Sequence, residues 1–240
     1  MLVALDLDDW QKARDMAELL SPVVDGFKVG MRLFYRVGPK VWEFLQGKSE
    51  ILFADLKLHD IPSTVAGGVR ALVAQGVNLL NVHAAGGKAM MRAAVEAAAE
   101  EASLQGLPRP WLVAVTVLTS LDDASLREEV GIPEAVSQRV LAWARLAQEC
   151  GLDGVVASPL EAGLLRRELG EDFLLVTPGI RPAGHPAGDQ KRAATVAQAL
   201  QAGADLLVVG RPILASPDPL AAALAIRREM EGFGSCVPKK

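Results

Sequence analysis

The feature that most constrains the fold of this chain is a regular alternation of short apolar runs with segments of helical periodicity. The sequence contains eight such apolar runs, and a helical segment or a polar loop separates each from the next. Strict alternation of strands and helices favours parallel strands, because each connection must cross over the sheet before the next strand begins. The predicted strands are residues 2–7, 24–30, 51–58, 79–84, 111–118, 154–158, 173–180 and 205–210.

The length of the chain indicates how the eight units close. Its 240 residues fit a (β/α)8 barrel, which typically takes about 250 residues. No linker or shift in composition marks a second domain, so we predict the α/β class, as a single (β/α)8 TIM barrel domain over residues 1–240. An open doubly wound sheet is the rival architecture, but no GxGxxG motif follows the first strand, which weakens a dinucleotide-binding version of it. The predicted helices are residues 10–20, 33–45, 63–74, 88–103, 137–149, 159–169, 193–201 and 217–231, with a polar loop at 121–134.

Composition and charge argue against several classes of protein. The net charge of −4 at pH 7 and the pI of about 5.5 do not indicate binding to nucleic acid or to a membrane surface. No apolar run reaches the roughly 18 residues that span a membrane, and the N-terminus lacks the pattern of a secretory signal. Cys150 and Cys236 are far apart in no ligand-like spacing, and the three histidines form no local metal motif. We therefore predict a reduced, cytoplasmic protein.

Charged residues stand where the third predicted strand ends. The apolar run 51–54 is followed by Asp55, Lys57 and Asp60, and Pro62 then suits the first turn of a helix. Side chains alternate between the two faces of a strand, so Asp55 and Lys57 should point the same way. A lone buried charge is costly, so such groups usually have partners or a catalytic task. A structural ion pair at the end of a strand is the alternative interpretation.

Polar residues also follow other predicted strands. In a barrel the carboxyl ends of all strands meet at one mouth, where barrel enzymes hold their active sites. Each residue has a structural alternative: helix capping for aspartate, threonine and serine, snorkelling to water for lysine, and a surface position for arginine. Their convergence on one mouth favours a functional role, whereas His83 is interpreted as a core or rim histidine rather than a metal ligand. The candidate residues are Asp6, Lys28, Asp55, Lys57, Thr119, Ser120, Arg181, Gly210 and Arg211.

The loops after the last two strands predict a phosphate site. Barrels often bind phosphate with these loops and a nearby helix N-terminus. Arg181, Gln190 and Arg211 fall in the two loops, and an arginine guanidinium offers phosphate a planar fork of donors. Gly210 would let the backbone approach a ligand closely. The segment 182–188 is rich in Pro and Gly, and we predict that it is a flexible loop able to fold over a bound ligand.

With these residues in place, the chain resembles the orotidine 5'-phosphate decarboxylase family, and the resemblance covers essentially the whole chain. The motifs that carry it are ALD at 4–6, FKVG at 27–30, DLKLHDIP at 55–62, VHA at 82–84, VTVLTS at 115–120, TPGIR at 177–181 and VVGR at 208–211. The DLKLHDIP block is highly specific, and no motif position departs from the family pattern. The resemblance implies conversion of orotidine 5'-monophosphate to UMP, the last step of de novo pyrimidine synthesis, without a metal or an organic cofactor.

The resemblance also implies roles for individual residues. Four charged residues match an alternating network at the reacting centre: Lys28, Asp55, Lys57 and Asp60. Lys57 would donate a proton to C6 of the pyrimidine. Asp60, with Ile61 and Thr64 beside it, would reach the site of a neighbouring subunit, so a homodimer with shared active sites is expected. The other implied contacts are Asp6 to the ribose, Thr119 or the adjacent Ser120 to the pyrimidine, Gln190, Gly210 and Arg211 to the phosphate, and Arg181 at the base of the closing loop.

Two other functions stay open at this point. Related barrels share a strand-end Asp-x-Lys-x-x-Asp and act on sugar phosphates with Mg²⁺, either as decarboxylases or as hexulose-phosphate synthases. The His-Asp-Ile-Pro continuation at 59–62 and the Thr119-Ser120 pair favour the orotidine branch. The second alternative is a non-catalytic nucleotide-binding barrel, although a pure binder has no need for an alternating tetrad of charges.

Overall fold

Eight parallel strands form one closed barrel in this protein. The structure is a computed structural model that describes residues 1–181 and 192–233. The strands pair in sequence order, and the last closes on the first. They are β1 (Leu2–Ala4), β2 (Gly26–Gly30), β3 (Ile51–Leu58), β4 (Leu79–His83), β5 (Trp111–Val115), β6 (Gly154–Val156), β7 (Leu174–Thr177) and β8 (Leu206–Val209). The predicted (β/α)8 fold is confirmed, and the extension of this single domain to all 240 residues stays a prediction.

Helices connect the strands and cover the barrel. The predicted helix at 33–45 is two helices, because Gly38 has a φ of 68° and Pro39 follows it. Within the described ranges, no helix has the length and apolar character needed to cross a membrane. The helices are α1 (Trp10–Leu20), α2 (Met31–Val37), α3 (Lys40–Leu45), α4 (Pro62–Val73), α5 (Gly87–Gln105), α6 (Asp123–Glu128), α7 (Val136–Glu149), α8 (Pro159–Leu169), α9 (Val196–Gln201), α10 (Arg211–Leu214) and α11 (Pro219–Glu231).

Apolar side chains form two cores, because successive residues of a strand point to opposite faces. One face of the strands packs against the helices, in a core that includes Trp42 and Phe27. Gly26 and Gly154 allow close packing, since a Cβ atom at either position would collide with a carbonyl of the neighbouring strand. The other face fills the barrel interior with Leu2, Ala4, Ile51, Phe53, Leu79, Val113, Leu174, Val176, Leu206 and Val208.

The inward-facing rows lead to charged residues at the carboxyl ends of the strands. In β3, Ile51 and Phe53 face the interior and Asp55 is the next residue of the same row. Several strands end earlier than the sequence predicts, including β1 at Ala4 and β5 at Val115. The apolar runs continue past the last paired residue, so these extra residues form the loops that surround the mouth of the barrel.

Candidate active site

A cavity of about 640 Å³ opens at the carboxyl ends of the strands. Small-molecule sites typically occupy about 300–1,000 Å³, so this cavity has the size of a ligand site. Its apolar lining includes Phe53, Val156 and Val208 from the barrel interior. The predicted site residues that line it are Asp6, Lys28, Asp55, Lys57, Thr119, Arg181, Gly210 and Arg211.

The charged side chains around this cavity are mostly basic. Among the described residues, five basic and two acidic side chains line it, which gives a local charge of +3 in a chain whose net charge is −4. A cavity of this kind attracts anionic ligands. The basic residues are Lys28, Arg32, Lys57, Arg181 and Arg211, and the acidic ones are Asp6 and Asp55.

Lys28 is the most deeply buried of the charged residues that line the cavity, and only 8% of its side chain is exposed. Its Nζ atom lies 2.9 Å from Asp6 Oδ1 and 3.1 Å from Asp55 Oδ2. Burial alone would lower the pKa of the amino group, but the two carboxylates outweigh it and hold the pKa above its ordinary value. Lys28 therefore stays protonated and joins two carboxylates at the base of the cavity.

Asp55 connects Lys28 to Lys57. Its Oδ1 atom accepts hydrogen bonds from Lys57 Nζ and Asn81 Nδ2, both at 2.7 Å. Burial alone would raise the pKa of the carboxyl group, but Lys28 and Lys57 outweigh it and the pKa is lowered. Asp6, Lys28, Asp55 and Lys57 thus form a continuous chain of alternating charge, and 28% of the Lys57 side chain is exposed at its end.

A bulge in β3 sets the position of Lys57. β3 pairs with β4 on both sides of the bulge, but between these pairs three residues of β3 lie opposite the single residue Asn81. Lys57 has a φ of 52°, the only positive φ at a non-glycine residue in the described ranges. Regular alternation predicted that Asp55 and Lys57 would share a face. Their side chains do meet, but the strand leaves regular geometry to bring them together.

Asn81 holds this bulge and was not among the predicted site residues. Its side chain is buried, and its Oδ1 atom accepts a 2.8 Å hydrogen bond from the backbone N–H of Lys57. Its Nδ2 group donates to Asp55, so one amide fixes both residues of the Asp55–Lys57 pair. The signal available in the sequence is a lone amide inside the apolar strand Leu79–His83.

Two histidines stack beside the charged chain. The ring centroids of His59 and His83 are 5.1 Å apart, and the ring planes differ by 28°. Burial lowers the pKa of His83 to about 4, with His59 and Lys57 adding to the effect and Asp55 opposing it. The His83 imidazole is therefore neutral at pH 7.

Four of the predicted site residues do not line this cavity: Ser120, which is exposed in the loop after β5, and Asp60, Ile61 and Thr64. Asp60, Ile61 and Thr64 are exposed around the start of α4, and the Asp60 carboxylate accepts a 2.6 Å hydrogen bond from the Ile61 backbone N–H. The Ile61 side chain is 63% exposed. Gln190 and the predicted loop at 182–188 lie outside the described residues.

Comparisons with known proteins place the chain in a family. Residues 1–226 match the family model described as Orotidine 5'-phosphate decarboxylase / HUMPS family. The chain is 53% identical over 231 residues to the orotidine 5'-phosphate decarboxylase of Moorella thermoacetica, covering 96% of this chain and 92% of the relative. It is 49% identical over 228 residues to the protein of the same name from Paramagnetospirillum magneticum, covering 95% of this chain and 97% of the relative.

A solved structure is similar over nearly the same extent. The crystal structure of orotidine 5'-phosphate decarboxylase from Lactobacillus acidophilus superimposes with a TM-score of 0.80 at 40% identity. The match covers 98% of this chain and 99% of that one. The chain therefore belongs to the orotidine 5'-phosphate decarboxylase / HUMPS family.

Proposed function

We propose that this chain decarboxylates orotidine 5'-monophosphate to UMP (EC 4.1.1.23), the last step of de novo pyrimidine nucleotide synthesis. The observation that carries the proposal is the chain of alternating charge that ends at Lys57 inside a basic cavity. The substrate bears a carboxylate and a phosphate, and a basic cavity attracts both groups. Relatives about half identical in sequence, named orotidine 5'-phosphate decarboxylase, add support.

In the proposed reaction the bond between C6 and the substrate carboxylate breaks. CO₂ leaves, and the electron pair of the bond stays on C6. The Lys57 ammonium then donates a proton to C6, and the neutral amine regains a proton from water after the product leaves. A fixed ammonium in a sheltered site stabilises the developing negative charge better than water, which must first reorganise.

Asp55 and Lys28 prepare Lys57 for this step. Asp55 holds the Lys57 Nζ atom at 2.7 Å, which fixes the position of the amino group at the end of the charged chain. Lys28 binds the second oxygen of Asp55, so the carboxylate stays ionised although it is largely buried. Asp55 would also lie close to the carboxylate of the substrate.

The other cavity residues would bind the parts of the substrate that do not react. A grip on the phosphate can lower the barrier of the distant reaction when that binding energy is used in the transition state. The proposed contacts are Asp6 to the ribose, Thr119 or Ser120 to the pyrimidine, Gln190, Gly210 and Arg211 to the phosphate, and Arg181 at the base of the loop after β7.

We also propose a cytoplasmic homodimer whose subunits share their active sites. In this arrangement Asp60, Ile61 and Thr64 of one subunit complete the cavity of the other. Their exposure, and their absence from the cavity of their own chain, support the proposal. The 63% exposed side chain of Ile61 would then be covered by the partner.

A spectrophotometric assay of the purified chain with orotidine 5'-monophosphate and no added metal tests the function. We expect the substrate absorbance to disappear, UMP to form, and the rate to be unchanged in excess EDTA. The HUMPS part of the family description makes a sugar-phosphate enzyme the second candidate. That candidate predicts turnover of formaldehyde with ribulose 5-phosphate, or of a keto-acid sugar phosphate, that stops in EDTA. UMP binding without loss of substrate absorbance would favour a non-catalytic nucleotide-binding barrel.

A further inference from the structure

A buried ion pair lies behind the wall of the cavity. The Nη1 atom of Arg192 is 2.7 Å from Oε2 of Glu161 in α8, and the two side chains are 8% and 7% exposed. Neither residue lines the cavity. Replacing a buried ion pair by apolar residues of similar size often leaves a protein equally stable. Stability alone therefore does not explain why these two charges are buried here.

Arg192 uses another part of its guanidinium on the loop that follows β5. Its Nη2 atom donates hydrogen bonds to the backbone oxygens of Val117, at 2.9 Å, and Leu118, at 3.0 Å. Val117, Leu118 and the next residue, Thr119, all line the cavity. The planar guanidinium can bind a carboxylate and two carbonyls at once, which a lysine ammonium cannot do with the same geometry.

The backbone next to Arg192 is bound to a second part of the cavity wall, which follows β7. Ala194 accepts a 2.9 Å hydrogen bond from Arg181 N–H and donates a 3.3 Å hydrogen bond to Gly179 O. Gly179 and Arg181 follow β7 and line the cavity. In addition, Ser158 Oγ, at the N-cap of α8, donates to Arg192 O at 3.2 Å. A segment of three residues thus joins the wall after β5 to the wall after β7.

We propose that Arg192, held by Glu161, is a positioning residue that fixes the wall at 117–119 relative to the wall at 179–181. The proposal rests on the proposed function, in which Thr119 and Arg181 bind different parts of one substrate. Arg192 acts on the reaction only through these two walls. A misplacement of about 1 Å can lower the rate of an enzyme by about a hundredfold, so the fixed spacing matters for catalysis.

Arg192→Lys tests this role, because it keeps a positive charge beside Glu161 but removes the planar fork. We expect kcat/KM for orotidine 5'-monophosphate to fall by about tenfold to a hundredfold. In the ligand-free protein, we expect hydrogen–deuterium exchange of the amides at 117–121 to become about tenfold faster, because the wall opens more easily.

Arg166→Lys is the matched control. The Arg166 side chain is 10% exposed, and its Nη2 atom lies 2.7 Å from Asp205 and binds Gly203 O. This pair sits at the other end of the barrel, where β8 begins. We expect Arg166→Lys to lower the melting temperature about as much as Arg192→Lys does. It should leave kcat/KM within about twofold of the wild-type value and the hydrogen–deuterium exchange at 117–121 unchanged.

An Arg192→Lys protein that keeps the wild-type value of either kcat/KM or the exchange rate would overturn the positioning role. If the wild-type protein does not decarboxylate orotidine 5'-monophosphate, the proposed function fails, and the exchange rate alone decides whether Arg192 fixes the wall. If Arg192→Lys does not fold, the double variant Arg192→Met/Glu161→Met removes both buried charges and is judged by the same two measurements.

Discussion

At the scale of single residues, Lys57 combines a left-handed backbone with a charge held by a buried carboxylate. A φ of 52° costs a non-glycine residue about 1 to 2 kcal/mol, and outliers of this kind concentrate at functional sites. Here the unusual backbone directs the Nζ atom to Asp55 and leaves part of the side chain open to the cavity. The strain is therefore consistent with the need to present an ammonium to a ligand.

The proton-donor role of Lys57 predicts that Lys57→Ala lowers kcat by about a thousandfold or more, because a positioned general acid contributes about 10² to 10⁴ and its charge is lost as well. Lys57→Arg is the control that separates charge from proton transfer. It should keep the ion pair with Asp55 but restore little activity, since a guanidinium with a pKa above about 12 is a poor acid. Steady-state kinetics measure kcat of the two variants, and the Kd of UMP measures whether each variant still binds the product. Near-normal turnover of Lys57→Ala would refute the assignment.

His83 predicts a pH dependence of stability. Its pKa is about 4 in the folded protein and 6.5 ordinarily, so the unfolded chain takes up more protons between these values. The free energy of unfolding should therefore fall by about 1 to 2 kcal/mol as the pH drops from 6.5 to 4, after allowance for solvent screening of a partly exposed ring. Asp55 loses its contribution only at lower pH, because its pKa is lowered from 3.8.

The difference between wild type and His83→Gln isolates this contribution. Urea unfolding at several pH values should give a difference that is constant above pH 7 and changes in favour of the variant as the pH falls towards 4. A pKa near 6.5 for His83 in an NMR titration would contradict the prediction.

At the scale of secondary-structure elements, periodicity and capping predict the existence of the eight strands and both limits of three elements. The helices Trp10–Leu20 and Pro159–Leu169 and the strand Ile51–Leu58 have the predicted limits. The two helices begin where Asp9 and Ser158 cap them, and this local chemistry can be read from the sequence. The bulge in β3 could not be predicted, because it depends on the register with β4, and alternation encodes faces rather than register.

The two hydrogen bonds of Asn81 predict that its loss lowers both the stability of the protein and kcat. Asn81→Ala leaves the Lys57 N–H without its acceptor and removes one of the donors to Asp55, so we expect a loss of about 1 to 3 kcal/mol in the free energy of unfolding. The bulge also loses its tie to β4, so kcat should fall by about tenfold or more.

Asn78→Ala is the comparison for this variant. The Asn78 amide likewise joins β4 to β3, accepting from Leu52 N–H at 2.8 Å and donating to Glu50 O at 2.6 Å. It lies at the opposite end of these strands, so its loss should reduce stability but leave kcat within about twofold. Equal effects of the two variants on kcat would show that Asn81 has no specific part in positioning Lys57.

At the scale of the whole molecule, the parallel order of the strands brings the site residues together. Strand ends that are far apart in sequence meet at one mouth in a parallel barrel, which is why Asp6, Lys28 and Arg211 could be predicted as neighbours of one cavity. The Arg192–Glu161 pair could not be predicted in this way. Neither residue stands at a strand end, and the hydrogen bond from Arg192 to Val117 is known only once the loops are placed in space.

The proposed sharing of sites between two subunits predicts that two inactive variants restore each other. Lys57→Ala lacks the proton donor, and Asp60→Asn lacks the residue that would serve the partner's site. In a mixed dimer, one cavity then receives both changes and the other receives neither. Random mixing in equal amounts should return about a quarter of the wild-type activity, because about half of the dimers are mixed and each has one intact site.

Mixing Lys57→Ala with Asp55→Asn provides the control, since Asp55 and Lys57 lie on the same strand of one chain and line the same cavity. Every cavity in that mixture carries a change, so no activity should return. The two proteins of each pair are unfolded together, refolded, and assayed at a fixed total concentration after their dimeric state is checked by light scattering. Recovery in neither mixture, with mixed dimers demonstrated by mass spectrometry of differently tagged chains, would mean that each subunit holds a complete site and that Asp60 acts within its own chain.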